Sequence, residues 1–193
     1  MTYEAKTFDI PETPGISKET MDNHIGLYQG YVKHVNLIRE AIATERNNGD
    51  AADNYALAEM QRRLGFEFGG MKNHEYYFTQ FEGGAKQLPD GKLKELIEKQ
   101  WGSVENWLER FKQIAKTRGV GWAMLYHDKE TNQLVQTWVD EQQLGQLADV
   151  DIVLALDMWE HSYMHDYLSS EKGKYIDAFF DCLNWEVIAS RLN

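Results

Sequence analysis

The sequence predicts an α+β protein: an N-terminal antiparallel helical hairpin, then a helix–strand half with a three-stranded, mainly antiparallel sheet. Three observations predict it. Two long stretches in the first half repeat their apolar residues at intervals of three and four, the helical period. A segment rich in Gly, Pro and Asp over 82–91 interrupts the chain near its middle. Beyond it lie three short apolar runs, at 120–126, 134–139 and 151–156, each of strand length. The interruption divides the chain into a domain over 1–88 and a second over 89–193.

Taken in order, residues 1–17 hold two of the three prolines, Pro11 and Pro14, and read as an extended arm. Ser17 stands where a helix N-cap belongs, with Thr20 in place of the usual Glu and Glu19 in the first turn. From 21 to about 47, His24, Tyr28, Tyr31, Val35, Ile38 and Ile42 share one helical face. A turn at 47–50 leads to a second helix from 51 to about 81, with a break expected near Gly65 or at Gly69-Gly70. Adjacent glycines inside a helix cost about 1 kcal/mol each relative to Ala. Some group is therefore expected to approach the backbone closely there, on the face that carries His74 one turn later. Two long helices joined by a short turn make the hairpin. Residues 91–101 and 104–116 read as shorter helices, the latter capped by Ser103. The turn at 128–132 joins the first two strands, and 177–192 reads as one closing amphipathic helix with Phe179, Phe180, Leu183, Val187 and Ile188 inward.

A hydrophobic fraction of 42% excludes a disordered chain. The formal net charge of −11 argues against nucleic acid, which needs clustered Lys and Arg. It also means that an anionic substrate needs a local positive rim. Cys182 is the only cysteine, so no intrachain disulfide forms. The first residues lack the apolar core of a signal peptide, and no window reaches the roughly 18 apolar residues of a membrane span. A cytoplasmic protein with no membrane contact is the expectation.

Chemistry gathers around Asp157, which closes the third strand, and His161, one turn further on. A carboxylate and an imidazole aimed into one pocket suit a first-row transition metal such as iron or manganese. Asp and His at a helix start also serve as cap and dipole partner. His24 and His74, one on each long helix, complete a possible three-histidine, one-carboxylate set. His34, His127 and His165 lie at a polar helix face, a strand turn and a surface position. A competing reading makes the histidines core residues of a non-catalytic helical interaction module. No His-Glu-x-x-His zinc motif, Gly-x-Ser-x-Gly elbow or Gly-rich phosphate loop occurs. Cys182, beside Phe179-Phe180, reads as core rather than as a nucleophile.

Asp157-Met-Trp-Glu-His161 resembles the Asp-x-Trp-Glu-His signature of the iron/manganese superoxide dismutases. Four more segments resemble that family in the same order: Glu19-Thr-Met-Asp-Asn-His24, Asn73-His74-Glu-Tyr-Tyr77, Gly119-Val-Gly121-Trp122 and Leu183-Asn-Trp185-Glu186. The resemblance spans nearly the whole chain. It implies a helical hairpin and an α/β domain holding one iron or manganese ion per subunit through His24, His74, Asp157 and His161. The implied reaction is disproportionation of superoxide anion to oxygen and hydrogen peroxide. A homologue with weak or no dismutase activity is the alternative.

The family places a Gln beside the metal-bound solvent, either on the second helix or on the loop after the second strand. The helix position is Gly70 here, so Gln142 takes the role, with Gln143 as its rival. Trp122 and Trp159 would wall the pocket. Gly70 with the loop Gln resembles the manganese type, whereas Tyr77 resembles the iron type. A homodimer or tetramer through Glu160 and His161 is implied.

Three departures from the pattern stand out. Tyr28 occupies the place of a usual His, and the gateway tyrosine falls at Tyr31, with Tyr28 as the alternative. Met164 replaces the Tyr that normally pairs with that His across the dimer. The usual Arg after the last ligand is absent, which leaves Lys172 or Lys174 to supply the positive rim.

Overall fold

The computed structural model describes residues 2–47 and 55–192. Its first half is two helices, α1 (Lys18–Asn47) and α2 (Tyr55–Thr79). Ring contacts run in opposite senses along them. His24 meets Tyr77 and Phe78, while Tyr31, further along α1, meets Phe66, further back on α2. The pair is therefore antiparallel, as the periodicity predicts. The turn expected at 48–50 and the start of the second helix at 51–54 lie outside the described residues. Ser17 caps α1, its Oγ accepting from Thr20 N at 3.1 Å.

The expected break in the second helix does not occur: α2 runs unbroken through Gly65, Gly69 and Gly70. The close approach that the glycines imply does occur. A Cβ at Gly69 would overlap the Gln142 carbonyl oxygen, and one at Gly70 would lie 2.5 Å from the Tyr31 ring. The chain tolerates two poor helix formers because two groups of the later site pack directly onto the bare helix backbone.

The second half contains α3 (Lys92–Trp101) and α4 (Val104–Ala115), then β1 (Gly121–Asp128), β2 (Gln133–Asp140) and β3 (Asp151–Asp157). Ser103 caps α4 by accepting from Asn106 N. Pairing within this sheet is antiparallel, in the order β2-β1-β3. Trp122 opens β1 directly across from Asp157 at the end of β3, a register that sets an indole beside a carboxylate. The free edge of β3 meets α2 and a short C-terminal helix. Gln80 imitates a strand there, accepting from Ala155 N at 2.8 Å and donating to Ala155 O at 2.9 Å. Arg191 donates to Val153 O, Tyr76 O and Thr79 Oγ1, and so ties the same edge to the C-terminal end of α2.

The single closing helix expected over 177–192 is two: α5 (Lys172–Asp181) and α6 (Trp185–Ser190). The break has a local cause. Asn184 prefers to cap, its side chain accepting from Glu186 N and Val187 N. Its own N–H goes to Gln80 O, and the Leu183 carbonyl accepts from Lys86 N. Phe179, Phe180, Leu183 and Ile188 are buried, whereas Val187 is half-buried. One core joins both halves: Phe179 stacks on Tyr77 at 5.7 Å, and Trp107 and Phe111 close it from α4. Among the described residues no helix is long and apolar enough to cross a membrane.

Candidate metal centre

Four chain segments converge at the seam between hairpin and sheet. His24 comes from α1, His74 from α2, Asp157 from the end of β3, and His161 from a 3-10 turn over Glu160–Ser162. Their donor atoms all lie within 4.8 Å of one another. Three Nε2 atoms point at one oxygen: His24, His161 and His74 stand 3.0, 3.2 and 3.5 Å from Asp157 Oδ2. His24, His74 and Asp157 are buried, and His161 alone is partly open.

Each donor is held from behind. The Asp157 carboxylate accepts from Trp159 N through Oδ1 at 2.8 Å. Its main-chain carbonyl accepts from the Ser162 and Tyr175 hydroxyls at 3.0 and 2.9 Å. Asp166 ties the loop beyond His161 to the start of α1, taking Ser17 N at 2.8 Å and Thr20 Oγ1 at 2.7 Å. That tie fixes the helix carrying His24 relative to the loop carrying His161. His74 Nδ1 lies 2.6 Å from Gly70 O. A carbonyl only accepts, so the proton is on Nδ1 and the Nε2 lone pair faces inward.

This arrangement fits a cation. His74 Nε2, 3.5 Å from Asp157 Oδ2, is buried without a hydrogen-bond partner. A lone pair facing a carboxylate oxygen inside a protein is repulsive unless a positive charge sits between them. Three imidazoles and one carboxylate are donors that a first-row transition metal accepts.

Electrostatics agree. Burial pushes the His74 imidazole down to about 3, with the His24 charge adding to the effect. His24 is also lowered, first by burial. For Asp157 burial pushes up, but the His161 and His24 imidazoles outweigh it and hold the carboxyl below its ordinary value. In metal-free protein His74 takes a proton only near pH 3, whereas the unfolded chain takes it near 6.5. The unfolded state binds more protons between those limits, so stability falls as pH drops through that window. Asp157 acts in the same direction. Its contribution is present above the unfolded value of about 4 and is lost as pH falls through the lower folded value. The urea midpoint of metal-free protein is expected to fall steadily from about pH 6.5 to 4. A flat midpoint over that range would contradict neutral, buried imidazoles.

The wall is polar on one side. After β2 the chain turns back at Glu141, whose φ of 51° is unusual for a non-glycine residue. That turn sends the fully buried Gln142 inward. Its Oε1 accepts from Trp122 Nε1 and its Nε2 donates to the Tyr31 hydroxyl, both at 2.9 Å. Asn73 Nδ2 donates to Gln142 O at 3.0 Å. Gln143 lies against Gly65 and Gly69 instead. Tyr31 sits over His74, ring centroids 5.1 Å apart. Tyr28 is elsewhere, buried against Phe8 and Phe78, its hydroxyl accepting from Lys6 N. Trp159 stacks on His161 at 5.8 Å, and Phe66 completes the mouth 6.3 Å from Trp159.

Of the two lysines expected at the rim, Lys172 reaches Gly119 O and Lys174 pairs with Glu171. His34 and His165 lie beside Glu67 and Glu19, and His127 bonds Asn132. Cys182 is core, its thiol pushed up to about 11 by burial.

Sequence reasoning gave no role to Phe66, Asn73, Ser162, Asp166 or Tyr175. Phe66 carries a legible signal, eight residues before His74 on one helical face. The others act through tertiary contacts that no local spacing encodes.

Gly69→Ala tests the approach of the Gln142 loop to α2. Helix propensity favours Ala by about 1 kcal/mol. Overlap with a fixed backbone carbonyl costs about 1–3 kcal/mol. The overlap wins. A lower melting temperature is expected, because the loop that carries Gln142 must move off α2. An unchanged or raised melting temperature would refute the contact.

Comparison with known proteins agrees with this geometry. Residues 8–82 match the family model for the alpha-hairpin domain of iron/manganese superoxide dismutases, and residues 89–191 match that for their C-terminal domain. The chain is 35% identical over 185 residues to superoxide dismutase [Fe] of Pyrobaculum aerophilum, covering 93% of this chain and 85% of that one. It is 34% identical over 179 residues to superoxide dismutase [Mn] 2 of Haloferax volcanii, covering 92% and 87%. Against superoxide dismutase [Fe] of Methanothermobacter marburgensis the identity is 30% over 203 residues and 98% of each chain.

Proposed function

This chain belongs to the iron/manganese superoxide dismutase family, and from that membership we propose that His24, His74, Asp157 and His161 hold one iron or manganese ion per subunit. The convergence of three imidazole Nε2 atoms on one Asp157 oxygen carries the proposal. The ion, when bound, supplies one-electron cycling between its divalent and trivalent states, which disproportionates superoxide to oxygen and hydrogen peroxide.

The surrounding residues set the conditions for that chemistry. Asp157 brings the only formal charge among the four donors and favours the higher oxidation state. Gln142 is held at both ends, by Trp122 and by Tyr31, so its amide keeps one orientation. Because Gln142 Nε2 donates to the Tyr31 oxygen, the phenol's own proton is free to be given to substrate or solvent at the mouth. Burial, and then the Asp157 and Glu67 charges, hold that phenol above its ordinary range, so it stays protonated and able to donate. Tyr31 is thus the gateway tyrosine rather than Tyr28. Trp122 and Trp159 exclude water from the two sides of the imidazole cluster.

We read 1–88 and 89–193 as the two domains, a division supported by the family matches flanking residues 83–88. A homodimer or tetramer through Glu160 and His161, in the cytoplasm, belongs to the same proposal. Glu160 is exposed and His161 is half-buried on one short turn, which leaves both within reach of a second copy. The test is a superoxide-consumption assay on protein loaded separately with iron and with manganese, alongside metal analysis. Stoichiometric metal and turnover with at least one ion are expected. Stoichiometric metal without turnover would leave a binding protein, and no bound metal would refute the site.

A further inference from the structure

We propose that Arg63, at the mouth of the centre, supplies the positive charge that draws the anionic substrate past Tyr31 and Trp159. The inference rests on superoxide being the substrate. The chain carries a formal net charge of −11, and an overall field of that sign repels an approaching anion.

The Arg63 guanidinium carbon lies 3.7 Å above the Phe66 ring. That ring is 6.1 Å from Tyr31 and 6.3 Å from Trp159, the two aromatics that border the mouth. Arg63 Nε donates to Glu67 Oε1 at 2.8 Å. The side chains of this pair differ in exposure: half of Arg63 is open, against 8% of Glu67. The carboxylate lies underneath and the guanidinium outside, so the pair presents its positive end to solvent. His34 stands 4.0 Å from the other Glu67 oxygen and adds a second group with its polar edge on the same carboxylate. Neighbouring Arg62 is paired with Glu59, but both of those side chains are open to solvent, where such a pair is largely screened. Aromatic and carboxylate together fix the Arg63 guanidinium in place, so less freedom is lost when it guides an ion inward.

Removing one such charge is expected to change capture on the order of threefold at low salt, and little at high salt, where the screening length shrinks to about 3 Å at 1 M. The experiment uses metal-loaded protein, with two readouts across ionic strength. One is kcat/KM for superoxide. The other is the Kd of azide, a small monoanion, followed by the visible absorption of the bound metal. Arg63→Gln should lower kcat/KM and raise the azide Kd, both by about threefold at low salt. Arg63→Lys should restore most of each. Glu67→Gln should shift both readouts the opposite way, and the differences should collapse as salt rises. If Arg63→Gln leaves both readouts unchanged, the proposal fails. It fails equally if the Arg63 and Glu67 variants both lose capture independently of salt, the outcome for a packing role. Should no variant turn over superoxide while azide binding still depends on Arg63 and salt, the anion-guiding role stands and the superoxide reading falls.

Discussion

Asp157→Asn is expected to leave the hairpin and sheet folded and to abolish both metal retention and turnover. The reason is the hub position of Oδ2, which all three Nε2 atoms face. Replacing the carboxylate by an amide removes the only negative charge of the set. It also puts either an NH2 group, which offers no lone pair, or a weaker neutral oxygen at the centre. Altering a residue that merely orients a ligand typically costs about 10–100-fold in metal affinity. Loss of a ligand charge should exceed that. The fold should survive, because the asparagine oxygen can still accept from Trp159 N, and the main-chain carbonyl keeps Ser162 and Tyr175. Metal content per chain, circular dichroism and superoxide consumption measured together give the answer. A folded variant that retained stoichiometric metal would show that Asp157 is not a ligand. His161→Ala is expected to behave alike.

Gln142→Leu is expected to keep the metal and lose most of the turnover, by an order of magnitude or more. Gln142 lies beyond the four donors, so their geometry should stand. What disappears is the amide that bridges Trp122 and Tyr31. Trp122 Nε1 loses its acceptor, and an unpaired buried polar group costs about 1–3 kcal/mol. A modest fall in melting temperature should therefore accompany the catalytic loss. The separate signature is electrochemical. Without an amide to hold the neighbouring solvent and phenol, the midpoint potential of the bound metal should move. Unchanged potential and activity would transfer the role to Gln143 or to another group.

The two cases also show what a sequence can disclose. The four residues that converge were legible because they combine strong local signals. His24 and His74 sit on long helices with a clear period, and Asp157 ends an unmistakable buried strand four residues before His161. The adjacent glycines were half legible. Their cost implied a close neighbour, and Gln142 and Tyr31 are the neighbours. The inferred helix break was wrong because packing against α1 and the sheet outweighs a local penalty of about 2 kcal/mol. The split of the closing helix was missed for a related reason. Asn184 reads as one more polar position on a helix until its backbone is seen paired with Gln80. The sequence favoured Tyr31 at the mouth with Tyr28 as the alternative; what it did not disclose is that the N-terminal arm covers Tyr28, whose hydroxyl accepts from Lys6 N. Asp166, Gln80 and Arg191 join residues more than a hundred or several tens of positions apart, and spacing carries no trace of such contacts.

One measurement bears most directly on the shared ion: anomalous diffraction from a crystal of the purified protein, recorded on both sides of the iron and manganese absorption edges. A single peak per chain is expected, within bonding distance of His24, His74 and His161 Nε2 and of Asp157 Oδ2, at whichever edge matches the resident metal. A map with no peak there at either edge, from protein that consumes superoxide, would place the chemistry elsewhere in the molecule.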